Sequence, residues 1–164
     1  MTSKAKLRFT SCGSINSPIG PVSVYERDGK IVYLEMVYNQ APNDRRSPVV
    51  DSALAQLEQY FAGRLNHFDV PVQLDGTEFQ RQVWAEIASI PFGHTLSYAD
   101  IAARIGKPKA ARAVGGAVGS NPVALIVGCH RVMGASNRIT GYSGGEGIPT
   151  KRWLLAHEQI SSAD

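Results

Sequence analysis

Residues 97–122, SYADIAARIGKPKAARAVGGAVGSNP, carry the pattern that decides the fold. Ser97 is a good N-cap for a short helix, YADIAARIG, and Lys107-Pro108-Lys109 breaks that helix before a second helical stretch begins. Two short helices joined by a tight connection containing Gly and Pro form a helix-turn-helix, whose second helix usually enters a groove of DNA. Unrelated helical hairpins share the pattern, so the composition of the second helix matters more. Ala111, Ala113, Gly115, Gly116, Ala117 and Gly119 leave it nearly bare, with Arg112 as its single long cation. A glycine inside a helix costs about 1 kcal/mol, and several together imply close approach of something large. That neighbour is either a partner or another helix of the same protein.

On the C-terminal side, residues 123–127 (VALIV) are an apolar run suited to a buried strand, which delivers Gly128-Cys129-His130-Arg131-Val132 at its end. A Gly- and Ser-rich loop follows over 134–149, and Pro149-Thr150-Lys151 open an amphipathic helix bearing Trp153, Leu154, Leu155 and His157-Glu158. On the N-terminal side, Thr77 caps a helix in which Phe79, Val83, Trp84, Ile87 and Ile90 recur at helical spacing, with Pro91 and Gly93 as stops. Before that, apolar stretches at 7–12, 21–25 and 31–37 are separated by Pro18, Gly20 and the 27–30 turn, which predicts an antiparallel meander. A polar loop over 39–48 leads to a helix over 51–62, where Leu54, Leu57, Tyr60 and Phe61 share a face. A short apolar stretch, 68–72, ends at the Asp75-Gly76 turn, which divides the chain into domains 1–76 and 77–164.

With 164 residues and 43% hydrophobic content the chain can bury a core, which argues against disorder. No apolar run approaches the ~20 residues of a spanning helix, and the start lacks a secretory apolar stretch, so a cytoplasmic protein with no membrane partner is expected. Cys12 and Cys129 are the only cysteines, too few for a disulfide framework or a cysteine-rich zinc site. The net charge of +3 is unevenly placed: residues 1–76 carry eight basic and eight acidic side chains, whereas 104–152 carry eight basic and one acidic, a net of +7. Such a segment suits a polyanion, although solvated surface explains many charge clusters.

Cys129 follows an apolar run and precedes His130, and a thiol becomes nucleophilic when a base or a cationic setting populates its thiolate. A single buried cysteine is more often an inert small hydrophobe, and adjacency in sequence does not set the imidazole against the sulfur. The wider pattern is more specific. Asn121-Pro122, Gly128-Cys129-His130-Arg131-Val132, the run from Gly141 through Tyr142 and Ser143 to Gly145, and the run from Lys151 through Trp153 to His157-Glu158 together resemble the O6-alkylguanine-DNA alkyltransferase family. The likeness extends to residues 79–84, 90–93 and Ser97-Tyr98, and weakens over the first seventy or so residues.

The resemblance implies an α+β protein: an N-terminal antiparallel sheet with a covering helix, ribonuclease H-like, and a C-terminal winged-helix-like domain holding the helix-turn-helix. It implies a single-turnover methyltransferase that repairs double-stranded DNA containing O6-alkylguanine, with O4-alkylthymine as a further candidate substrate. Cys129 would attack the alkyl carbon and keep the group as a thioether. His130 would deprotonate Cys129 through a bridging water, Glu158 would orient the imidazole, Asn121 would hold the turn presenting the cysteine, and Tyr98 would donate to N3 of the departing base. Tyr142 would stack on the guanine, the Ser143 N–H would meet O6, and the carbonyls of Val132 and Cys129 would accept from the exocyclic amine.

The target carbon lies inside a stacked duplex, so the nucleotide must be extruded at a cost of a few kcal/mol. Arg112 resembles the finger that fills the vacated stack. Ala113, Gly115, Gly116 and Ser97 are expected on the DNA-binding surface, set in the minor groove. Arg138 and Lys151 are expected at the surface, and Cys12, His67 and His94 as structural. Neither a cofactor nor a metal is expected, because the zinc site of some family members needs more N-terminal cysteines than Cys12. A monomer is expected, with cooperativity on DNA left open. Two departures stand out: Gly128 replaces the family's usual proline before the cysteine, and residues 146–150 lengthen the following loop. The alternatives are a non-catalytic damage sensor or DNA-binding regulator, and a cysteine hydrolase using Cys129 and His130.

Overall fold

The computed structural model describes residues 7–36 and 44–163. It is of the α+β class and divides into two compact units, Met1–Leu74 with Pro122–Ile126, and Asp75–Asn121 with Val127–Asp164.

The first unit is built on a three-stranded antiparallel sheet, β1 (Ser11–Ile15), β2 (Val22–Arg27) and β3 (Lys30–Met36), in the order β1-β2-β3. The β2–β3 turn uses Asp28 and Gly29, both at positive φ (53° and 79°), the combination a tight hairpin demands. Helix α1 (Pro48–Phe61) buries Val50, Ala53, Leu54, Leu57 and Tyr60. It starts three residues earlier than the expected 51, because Ser47 caps it and a proline is tolerated in the first turn. Leu54 and Val50 lie so close to Gly13 of β1 that a Cβ there would sit 2.9–3.0 Å from them. Of the expected loop over 39–48, residues 39–43 lie outside the described residues, while Arg45 bridges to Cys12 of β1 and Pro48 already belongs to α1.

The predicted strand over 123–127 does not form. Leu125 adopts φ 71°, and the Ile126 N–H donates to the Ala124 carbonyl (2.9 Å), so the segment turns instead of extending. The run is nevertheless buried at Val123, Leu125 and Val127, since apolar composition reports burial rather than backbone conformation. The Leu34 N–H of β3 donates to the Pro122 carbonyl (2.9 Å), which holds this turn within the first unit.

The second unit contains α2 (Glu78–Ala88), α3 (Tyr98–Arg104), α4 (Ala111–Gly119) and α5 (Ile148–His157). Thr77 and Ser97 cap α2 and α3 with reciprocal capping boxes through Gln80 and Asp100. The α2 face of Val83, Trp84 and Ile87 is buried, and the Trp84 indole N–H donates to the Ala117 carbonyl of α4 (2.8 Å). One pairing had no signal in the sequence. Two-residue strands β4 (Leu96–Ser97) and β5 (Val132–Met133) run parallel, with Leu96 opposite Val132 and Ser97 opposite Met133. This pairing fixes the start of α3 beside the segment that carries Cys129. Among the described residues no helix is long and apolar enough to cross a membrane.

Candidate functional site

Cys129 opens a 3-10 turn, Cys129–Arg131, and is 3% exposed. Its N–H donates to the Val127 carbonyl (2.8 Å), and the Asn121 side-chain amide donates to that same carbonyl (2.8 Å). Asn121 therefore ties the end of α4 to the turn that presents the cysteine. Burial pushes the Cys129 thiol up, while hydrogen bonds from the Asn121 and Tyr142 side chains and the charge of Lys151 pull it down. A thiolate is thus disfavoured at rest and supported by three neighbouring groups.

The adjacent His130 is fully buried. Its Nε2–H donates to Glu158 Oε2 (2.5 Å), which leaves Nδ1, buried and without a hydrogen bond, as the ring's basic nitrogen. Burial lowers the His130 pKa, against the opposing pull of Glu158, so the ring is held neutral and able to accept a proton. Glu158 in turn accepts from Arg131 Nε (2.8 Å) and Nη2 (3.1 Å), and Arg131 Nη1 donates to the Ile90 carbonyl (2.7 Å). A base is oriented by a carboxylate that a buried guanidinium neutralises.

Cys129 lines a cavity of about 290 Å³, together with Tyr98, Gly119, Tyr142, Ser143 and Lys151. Lys151 is 1% exposed, and its ammonium donates to the carbonyls of Val132 (2.6 Å) and Gly141 (3.3 Å). This corrects the expectation of a surface lysine. Lys151 stands three, four and seven residues before Leu154, Leu155 and Glu158, all buried on one face of α5, and that spacing was the signal for it. Val132 is itself buried, and its carbonyl already accepts one hydrogen bond from Lys151. The Ser143 hydroxyl donates to the Gly119 carbonyl (3.0 Å).

A broader groove of about 1040 Å³ runs beside α3 and α4; Ser97, Tyr98, Arg112, Gly115, Ala135 and Thr140 are among its lining residues. Arg112, Ala113 and Gly116 are exposed. Nothing lies within 4 Å of a Cβ built at Gly116 or Gly119, and one at Gly115 would make only ordinary contact with Tyr98 (3.8 Å). Packing inside the protein therefore does not require these glycines, and the bare face of α4 is open to a partner. The Ser97 hydroxyl is engaged as the α3 cap, accepting from the Asp100 N–H (3.0 Å).

Gly128 has φ −74°, a value proline also adopts, and a Cβ at this position would stand 3.1–3.3 Å from the Arg131 side chain. The loop over 144–150 closes locally, the Glu146 N–H donating to the Thr150 hydroxyl (2.9 Å) and the Gly147 N–H to the Gly144 carbonyl (2.9 Å). The sequence assigns no role to Arg131 or Thr140, whose partners, Glu158 and Tyr98, lie far from them along the chain.

Residues 11–74 match the family model described as the ribonuclease-like domain of 6-O-methylguanine DNA methyltransferase, and 78–160 match the DNA binding domain of the same family. A Mycolicibacterium paratuberculosis protein named methylated-DNA–protein-cysteine methyltransferase is 45% identical over 155 residues, covering 91% of this chain and 92% of its own. A Methanosarcina acetivorans protein of the same name is 43% identical over 148 residues, covering 87% and 94%. Among solved structures, Mycobacterium tuberculosis OGT in complex with DNA superposes with a TM-score of 0.81 at 45% identity, covering 92% of this chain and 93% of its own.

Proposed function

Because this chain belongs to the 6-O-methylguanine DNA methyltransferase family, it repairs DNA by moving an alkyl group onto one of its own cysteines, and we propose that the acceptor is Cys129. The observation that carries this reading is the buried Cys129 sulfur facing a cavity of about 290 Å³, one residue from a neutral, carboxylate-held imidazole.

His130 Nδ1 takes the thiol proton through an intervening water as sulfur attacks the alkyl carbon of O6-alkylguanine. The S–C bond forms, the C–O6 bond breaks, and its electron pair stays on the base, which takes a proton at N3 from the Tyr98 phenol. Glu158 fixes the imidazole tautomer, and Asn121 holds the turn. Tyr142 and Ser143 bound the cavity that receives the base, with the Val132 and Cys129 carbonyls as acceptors for its amine. The open face of α4, with Ala113, Gly115, Gly116 and neighbouring Ser97, docks on the minor groove while Arg112 fills the vacated stack. Methyl transfer leaves a thioether, so each molecule acts once. The site of action is the cytoplasm, where reducing conditions keep the thiol free, and domains 1–76 and 77–164 divide the work, the second carrying the chemistry.

Intact-mass measurement after incubation with a duplex containing O6-methylguanine tests the reading. One added methyl on Cys129, abolished by Cys129→Ser, is expected. Tight binding without a mass change would replace it with a damage sensor. Arg112→Ala should slow repair of the duplex while leaving the reaction with free O6-benzylguanine near normal, and equal losses on both would refute the flipping role.

A further inference from the structure

We propose that Thr140 is a positioning residue for Tyr98, donating a hydrogen bond to the phenolic oxygen so that the phenol's own proton is directed at the departing base. The proposal rests on the reading of Tyr98 as proton donor. Tyr98 occupies the first position of α3 and lines both the broad groove and the cavity that holds Cys129. A proton given by its hydroxyl is therefore delivered at the junction of the two spaces.

The Thr140 hydroxyl donates to that oxygen at 3.2 Å. Among the described residues no acceptor is bonded to the Tyr98 proton, which stays available for substrate. Thr140 is itself held. Its methyl group packs against Gly134 so closely that a Cβ at that glycine would collide with it, and the Gly134 N–H is fixed by the Arg138 carbonyl (2.7 Å). With the methyl seated on Gly134, the hydroxyl is left on the side of Tyr98.

Two effects follow from a donor at a phenolic oxygen. It occupies one lone-pair direction, which turns the phenol's O–H away from Thr140. It also stabilises the negative charge that develops on the oxygen as its proton moves to N3 of the leaving purine. After transfer the phenolate recovers a proton from solvent, so the step balances without a further reagent. Thr140 touches neither sulfur nor the alkyl carbon and acts only through Tyr98.

The test is a double-mutant cycle on single-turnover alkyl transfer from an O6-methylguanine duplex, with duplex affinity measured in parallel. Thr140→Val keeps the methyl on Gly134 and removes the donor. It should slow transfer about three- to ten-fold, the range of one hydrogen bond, with affinity unchanged. Thr140→Ser should restore most of the rate. In a Tyr98→Phe background Thr140→Val should cost nothing further. An undiminished rate in Thr140→Val, or an equal loss in the Tyr98→Phe background, overturns the proposal while leaving Tyr98 as donor. A wild-type rate in Tyr98→Phe overturns the donor reading itself, and this proposal with it.

Discussion

Glu158→Gln removes one charge and one acceptor from the buried centre while keeping its shape. The carboxylate accepts from His130 Nε2, from Arg131 Nε (2.8 Å) and from Arg131 Nη2 (3.1 Å), and the Gly93 N–H lies 3.3 Å from Oε1. Glutamine offers one oxygen. If that oxygen stays with Arg131, its amide faces His130 Nε2, which must then accept, and the ring proton moves to Nδ1. The nitrogen needed as base becomes a donor, and general-base assistance worth about 10²–10⁴-fold is lost. Arg131 also loses its counter-charge; removing one partner of a buried pair costs about 3–5 kcal/mol, and the retained oxygen favours the lower end, about 3 kcal/mol. Urea unfolding reads the stability, and rapid-quench single-turnover transfer from an O6-methylguanine duplex reads the rate, at a temperature where the variant remains folded. A rate within threefold of wild type in folded protein would refute the tautomer argument. An unchanged urea midpoint would refute the role of Glu158 as Arg131's counter-charge.

Three further outcomes follow from the same geometry. Gly116→Ala adds a methyl into open space on α4, so stability should rise by about 0.5–1 kcal/mol while duplex affinity falls, and unchanged affinity would remove α4 from the DNA surface. Gly128→Pro suits φ −74° and restricts the unfolded chain, so thermal melting should show a gain of up to about 1 kcal/mol with transfer retained; a loss above about 2 kcal/mol would show that Arg131 cannot yield to the ring. Burial lowers the His130 pKa below the ordinary value of 6.5. The folded chain then resists a proton that the unfolded chain accepts, so this group's contribution to stability is present above about pH 6.5 and declines as pH falls below it. Urea midpoints between pH 7.5 and about 5 should show that decline, with a shallower slope in His130→Gln; parallel slopes would contradict it.

Local signals carried much of the fold into the sequence. Thr77 and Ser97 cap the helices that the spacing predicts, and Asp28-Gly29 closes its hairpin. Residues 123–127 misled because an apolar run reports burial, and only the left-handed Leu125 turns it away from a strand. The β4–β5 pairing joins segments more than thirty residues apart and only two residues long, too short for periodicity to reveal. At the site, His130 and Glu158, twenty-eight residues apart, meet in a buried hydrogen bond, and Cys129 precedes His130 on the same 3-10 turn. The charge of Lys151 points to the surface while its position on α5 places it inside, and Thr140 carries no signal in the sequence because its bond to Tyr98 exists only once the loop folds back.

The burial of Arg131 and Lys151 sets a ceiling on a solution property. Of the eight cations between 104 and 152, six remain exposed: Arg104, Lys107, Lys109, Arg112, Arg138 and Arg152. Only these six can displace condensed counterions from a duplex. The segment therefore contributes a slope of log K against log salt no steeper than about −5, a loss of about 10³ in affinity for a fourfold rise in salt. Two charges that count toward the net of +7 are spent instead inside the protein, on a carboxylate and on two carbonyls beside the sulfur.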